Sequence, residues 1–359
     1  MTSFIYLEYA IAGIIRLWLS TSEYKQLIVD RVEISTPLNS WKRIMEGATL
    51  YQEGTDPYIG DMFHETPTNL FLLNWIIQNI PQWINLIFII CDLLTAHLLF
   101  RTSLMYGKDL LKRQEKDKIK YSKDSISKLM LTEEDLQMSP VYVASAYLFN
   151  PYTILSCAAQ TTTVFSNLFL ALYLYSMLNG HKTLCGLSLA MASLQSMYPA
   201  VLIVPVCIYT AVKHKTNRTL HVTICVSQFI IPLIVLLYAS YIIAGGWHFI
   251  NSTYGFILNV PDLRPNVGLF WYFFTEMFEH FRALFICAFQ LNACLLYIIP
   301  LSLRLHDEPV LLAVSLIALT TIFKSYPCIG DVGFYLALLP MWKHLFHYMQ
   351  QGFIVGCIF

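Results

Sequence analysis

Apolar residues in this chain come in long blocks separated by short polar stretches, and no block alternates with period two. The pattern predicts helical spans over Phe4–Ser20, Ile84–Phe100, Val141–Cys157, Val164–Met177, Leu184–Val212, His221–Ala244, Ala283–Leu303, Val310–Phe323 and Val332–Phe346. A hydrocarbon slab takes about 20 helical residues to cross, so the blocks amount to roughly eight to ten crossings. Each must be helical, because only a helix satisfies its own backbone hydrogen bonds in lipid when no strand pattern is present. Composition agrees: of 359 residues, 56% are hydrophobic and 13% charged, with a mean hydropathy of +0.55. A soluble domain of this composition would expose far too much apolar surface. The reading is an all-α, polytopic helical membrane protein, with residues 1–359 forming a single membrane domain.

Lys plus Arg equals Asp plus Glu at 23 each, so net charge gives no reason to invoke a nucleic-acid partner. The distribution of charge orients the chain, because basic loops stay in the cytosol. Residues 101–140, with Lys108, Lys112, Arg113, Lys116, Lys118, Lys120, Lys123 and Lys128, form a basic cytosolic loop. Residues 21–83 form an acidic lumenal loop carrying Glu23, Asp30, Glu33, Glu46, Glu53, Asp56, Asp61 and Glu65. Within it, Thr68–Ile80 is too short to span and reads as a half-inserted or interfacial helix ended by Pro81. The first block lacks a basic n-region and carries Glu8 and Arg16, which predicts a retained span with a cytosolic amino terminus. Lys213, Lys215 and Arg218 mark a second cytosolic loop; two long or four short helices fit between the two, given the breaks at Asn150-Pro151, Pro199 and Pro205. Residues 245–282 then form a second lumenal loop, in which Asn251-Ser-Thr253 is a glycan acceptor sequence, whereas Asn217-Arg-Thr219 falls on the cytosolic side. No internal repeat is visible.

That second loop contains an amphipathic aromatic helix. From Gly268 to Phe281, Phe270, Trp271, Phe273, Phe274, Met277, Phe278 and Phe281 fall on one side at 100° per residue, with Tyr272, Thr275, Glu276 and Glu279 on the other. Two readings stand: a core helix of the bundle capped by polar residues, or a lipid-contacting interfacial helix.

Familiar catalytic signatures are missing: there is no Walker loop, G-x-G-x-x-G, H-E-x-x-H or G-x-S-x-G. Cys91, Cys157, Cys185, Cys207, Cys225, Cys287, Cys294, Cys328 and Cys357 lie nearly all within apolar blocks, without a C-x-x-C pair, and read as small core residues instead of disulfides or zinc ligands. No cofactor or metal is called. Glu8, Arg16 and Asp92 lie within spans, where each would cost about 2.5–3.5 kcal/mol if it faced lipid at mid-depth. They face protein or water, as inter-helix contacts or as part of a substrate pathway. Asp30, Glu33, Asp56, Asp61 and Glu65 are the lumenal acids available to a glycosyltransferase reaction, and Glu276 with Glu279 share a helical face.

Several blocks carry a family resemblance: Ser35-Thr-Pro-Leu-Asn-Ser-Trp-Lys-Arg43, Phe63-His-Glu-Thr-Pro67, Cys91-Asp-Leu-Leu-Thr-Ala96, Asn150-Pro-Tyr-Thr-Ile-Leu-Ser-Cys157, Asn266 through Phe281, and Phe323-Lys-Ser-Tyr-Pro327 with Gly330-Asp331. They closely resemble the phosphatidylinositol-glycan class U family. The resemblance implies a non-catalytic subunit of the endoplasmic-reticulum transamidase that attaches glycosylphosphatidylinositol (GPI) to proteins. It also implies the other transamidase subunits, the GPI glycolipid and the membrane as partners. The family is similar in turn to mannosyltransferases with a GT-C-like transmembrane bundle. Those enzymes carry a paired acidic motif where this chain has Glu33-Ile-Ser35-Thr-Pro37. Loss of one carboxylate should remove most of the rate, since general-base help is worth about 10²–10⁴-fold.

On this resemblance the residues expected to hold lipid are Asp262, Asn266, Phe270, Trp271, Phe273, Phe274, Glu276, Phe278, Glu279, His280 and Phe281. The aromatics would bury against acyl chains, and the polar groups would meet the glycan or ethanolamine. Alternatives are a dolichol-phosphate-mannose-dependent mannosyltransferase with Glu33 or Asp30 as base, and a lipid transporter. Family members continue through further spans past Gly352-Phe-Ile-Val-Gly-Cys-Ile-Phe359, a stretch too short to cross.

Overall fold

The computed structural model describes residues 2–120, 122–123, 130–214 and 216–349, and among these no strand occurs. The helices are α1 (Thr2–Thr21), α2 (Tyr24–Val29), α3 (Trp41–Gln52), α4 (Pro67–Asn79), α5 (Ile84–Asp117), α6 (Glu133–Gln137), α7 (Ser139–Leu148), α8 (Pro151–Ala158), α9 (Thr163–Asn179), α10 (Lys182–Gln195), α11 (Ile203–Lys213), α12 (Arg218–Ala244), α13 (Phe256–Asn259), α14 (Leu269–Glu276), α15 (Arg282–Leu291), α16 (Ile298–Arg304), α17 (Pro309–Phe323) and α18 (Ile329–Leu338). This is a helical membrane protein. Pro81–Lys120 and Arg218–Ala244 are long and apolar enough to cross a bilayer unbroken, and Thr163–Asn179, Tyr198–Lys213 and Pro309–Phe323 are apolar but shorter. The expected stretch at Gly352–Phe359 and part of the basic loop lie outside the described residues.

Proline and asparagine account for the short elements. Asn150 caps α8 by accepting the Tyr152 N–H at 2.9 Å, and Pro151 occupies the first helical position, where its missing N–H costs nothing. The block Val141–Cys157 is therefore two helices set end to end. Pro199 falls in a 3₁₀ turn, Tyr198–Leu202, that separates α10 from α11. Helix α4 ends before Pro81, as the sequence implies. It lies across one end of the bundle, with the Thr68 hydroxyl 2.6 Å from Ser240 Oγ near the end of α12 and its far end leading into α5.

Loops gather at two opposite ends. At one, here called the rim, Thr162 N–H donates to the Asn39 carbonyl, Ile329 N–H to Glu33, and Tyr254 O–H to Leu194. At the other, Arg113 reaches the Asp307 carbonyl at 3.0 Å and Lys182 Nζ meets His221 Nδ1 at 2.6 Å. The acidic loop and residues 245–268 belong to the rim, whereas the basic loops belong to the opposite end.

The core holds an ion pair. Arg16 Nε of α1 donates to Asp92 Oδ2 of α5 at 2.6 Å, with both side chains buried. Tyr147 O–H donates to Asp92 Oδ1 at 2.7 Å. Arg16 Nη1 donates to the Leu148 carbonyl at 2.9 Å, an acceptor left free because α7 stops there. Glu8 accepts from the Ser145 hydroxyl at 2.8 Å. All three charges within the predicted spans are thus inter-helix contacts. Elsewhere α10 and α12 touch backbone to backbone: a side chain at Gly186 would collide with the Gln228 carbonyl.

Candidate functional site

Two rim segments converge on a polar cavity of about 160 Å³. One wall comes from the loop that precedes α3 and its first turn, through Asp30, Ser35, Thr36 and Arg43; the other comes from Arg264, Pro265 and Asn266. Arg43 is nearly buried, donates through Nη1 to the Met62 carbonyl at 3.1 Å, and places Nη2 4.0 Å from Asp262 Oδ2. Arg264 Nε meets that same Asp262 oxygen at 3.0 Å. A single carboxylate therefore faces two guanidinium groups. Burial first, and then the Arg264 charge, push the Arg43 pKa below the usual arginine range. Asp30 is paired with Lys42 instead, and this contact holds its pKa below the ordinary carboxylate value.

The second wall is braced from behind. Asn266 Oδ1 accepts the Gly268 N–H at 2.7 Å, and Tyr326 O–H donates to the Asp262 carbonyl at 2.8 Å. Gly268 sits so close to Pro327 that a Cβ would fall 2.6 Å from the ring, which keeps the turn against the loop before α18. Trp271 Nε1 donates to the Leu263 carbonyl at 3.2 Å, tying the loop to α14. Val260 adopts a left-handed conformation, φ +47°, and its carbonyl accepts Arg282 Nη2 at 2.7 Å. Such a backbone is costly for a β-branched residue and persists only where its surroundings over-determine it.

The residues singled out from the sequence separate into three groups. Asn266 lines the cavity, and Asp262 pairs with the two arginines that line it. Phe270 and Phe274 are buried, stacked at 4.4 Å, and packed with Phe256, Val260 and Tyr326; Phe273 lies partly buried against Phe285 and Phe289. Glu276, the last residue of α14, and Phe278, Glu279, His280 and Phe281 beyond its end are exposed. The segment is not one helix to Phe281. It turns extended at Met277 and Phe278, then makes a 3₁₀ turn over Glu279–Phe281 into α15. The break lets the rings of α14 fold onto those of α15 and cover themselves. Arg43 and Arg264 received no role in the sequence reading; they lie far apart in the chain, and only the fold brings them together.

Fold and rim thus define a class: an all-α membrane protein with a closed ionic core and an arginine-lined cavity between two loops at one end. The family model described as GPI transamidase subunit PIG-U matches residues 10–359, and the chain belongs to that family. It is 38% identical to the human GPI-anchor transamidase component PIGU, over 100% of this chain and 83% of that protein. The Mus musculus protein of the same name is also 38% identical, over 97% and 81%. The Saccharomyces cerevisiae GPI transamidase component GAB1 is 28% identical, over 93% of this chain and 77% of its own length.

Proposed function

We propose that this chain is a subunit of a GPI transamidase in the endoplasmic-reticulum membrane, crossing it several times with the rim in the lumen. In this role it positions the glycolipid for a partner subunit that makes the bond. The observation that carries the reading is the Arg43–Asp262–Arg264 cluster: two guanidinium groups beside a cavity share one carboxylate, which leaves N–H donors for a phosphate. Guanidinium forks match phosphate oxygens in pairs, which suits the phosphate of a glycosylphosphatidylinositol. Exposed Tyr272, Phe278 and Phe281 supply an apolar skin beside it for the acyl chains. Fixing the donor near a partner's acyl intermediate lowers the entropic barrier without a nucleophile on this chain. The relatives' names favour this role over that of a mannosyltransferase.

The test is the GPI lipid profile of cells lacking the protein. Complete glycolipid accumulates if the chain serves the transamidase. A precursor short of a mannose would instead indicate a sugar transferase and overturn the proposal.

A further inference from the structure

On the other flank of the rim, a buried carboxyl closes the end of an apolar groove of about 150 Å³. The groove runs between Leu72 and Ile76 of α4, Phe165 and Phe169 of α9, and Met191 of α10. Glu65, just ahead of α4, is 6% exposed. Its Oε2 accepts from Asn69 Nδ2 at 3.2 Å, whereas its Oε1 is buried and makes no hydrogen bond of good geometry, with the Thr162 and Gln195 side chains and the Thr66 N–H as its polar neighbours. The amide nearest to hand is already committed: Gln195 Nε2 donates to the Thr162 carbonyl at 3.0 Å and Gln195 Oε1 accepts from Ser166 at 2.7 Å. Several buried polar atoms of the described residues lack a well-formed partner, and Glu65 Oε1 is one that belongs to a residue lining a groove, where it has an acceptor to offer. Phe71, Leu72 and Trp75 are exposed along α4, so the mouth of the groove opens on an apolar surface.

We propose that this groove binds a neutral, hydroxyl-bearing membrane lipid, with hydrocarbon between α4, α9 and α10 and its hydroxyl on Glu65 Oε1. A hydroxyl both donates and accepts, so it satisfies this oxygen whether the carboxyl is ionised or protonated. Burial pushes the Glu65 pKa above the ordinary carboxylate range, which favours a neutral head over a charged one. A choline headgroup has no N–H or O–H to offer. The groove and its ligand chemistry are distinct from the arginine-lined cavity, so either assignment stands without the other.

Photoreactive probes test the assignment on the full-length protein in its native complex. A diacylglycerol and a phosphatidylcholine carry the same diazirine-bearing acyl chain, and crosslinked peptides are mapped. The diacylglycerol should label the peptides holding Phe169 and Met191 about tenfold more than the phosphatidylcholine, the ratio expected for one buried hydrogen bond. Glu65→Leu should erase that preference. Met191→Trp, which fills the groove from its wall, should abolish labelling by both probes, while Arg43→Gln should leave it unchanged. Equal labelling by the two probes, or an undiminished preference in Glu65→Leu, would overturn the proposal. Accumulation of complete GPI in the Arg43→Gln cells, read separately, reports on the phosphate cavity and not on this groove.

Discussion

Arg16 and Asp92 meet one to one at 2.6 Å, with Tyr147 donating to the carboxylate and the Leu148 carbonyl accepting from Arg16 Nη1, while Arg16 Nη2 is left without a partner. At the rim, Asp262 stands alone between Arg43 at 4.0 Å and Arg264 at 3.0 Å, beside open space. Both clusters use the same two side-chain types. The first leaves no net charge and no room, so it holds helices in place. The second sets two guanidinium groups on one shared carboxylate next to a cavity, which leaves N–H donors facing open space. Residue type does not separate the two clusters; stoichiometry, burial and space do.

Breaking the closed pair should have the largest effect. Asp92→Ala strands a buried guanidinium and should destabilise the fold by about 3–5 kcal/mol, read from thermal unfolding in detergent, whereas adding Arg16→Met should recover much of the loss. Arg43→Gln, which also loses the bond to the Met62 carbonyl, should lower unfolding stability less than Asp92→Ala does, yet cut surface display of a GPI-anchored reporter by about tenfold, the worth of one charge-assisted contact. Arg264→Gln should cost less, because its side chain is 57% exposed and screened by water. Asp262→Asn sharpens the contrast: removing the carboxylate that both arginines share should tighten binding of a short-chain phosphoinositide to the purified chain in detergent. A shift in the opposite direction would make Asp262 part of the ligand shell. The smallest difference is expected between Trp271→Ala and Lys118→Ala, with the former lowering reporter display more because it frees the loop that carries Arg264. Equal effects would separate α14 from the site.

Much of the architecture was legible from residue pattern alone. Pro81 marked the end of α4, Asn150-Pro151 the break between α7 and α8, and the cost of charge within apolar blocks required Glu8, Arg16 and Asp92 to face protein or water, without deciding between them. The extent of the aromatic segment was not legible. Helical periodicity registers which side a ring falls on, but not that Met277 and Phe278 turn extended so that Phe270 and Phe274 face Phe289. The arginine cavity was equally hidden, since Arg43 and Arg264 sit in separate loops and neither has a local motif. Asp262 and Asn266 were visible as polar residues ahead of an aromatic run, but their neighbours exist only after folding.

The closed pair also sets an order for how the chain is made. Arg16 and Asp92 are 76 positions apart, so α1 emerges from the ribosome well before its counter-ion does. Until α5 follows, a lone guanidinium held toward lipid would cost about 2.5–3.5 kcal/mol at mid-depth. Seating α1 before α5 would leave the guanidinium without its counter-ion, so the first helix gains its final seat only together with the fifth.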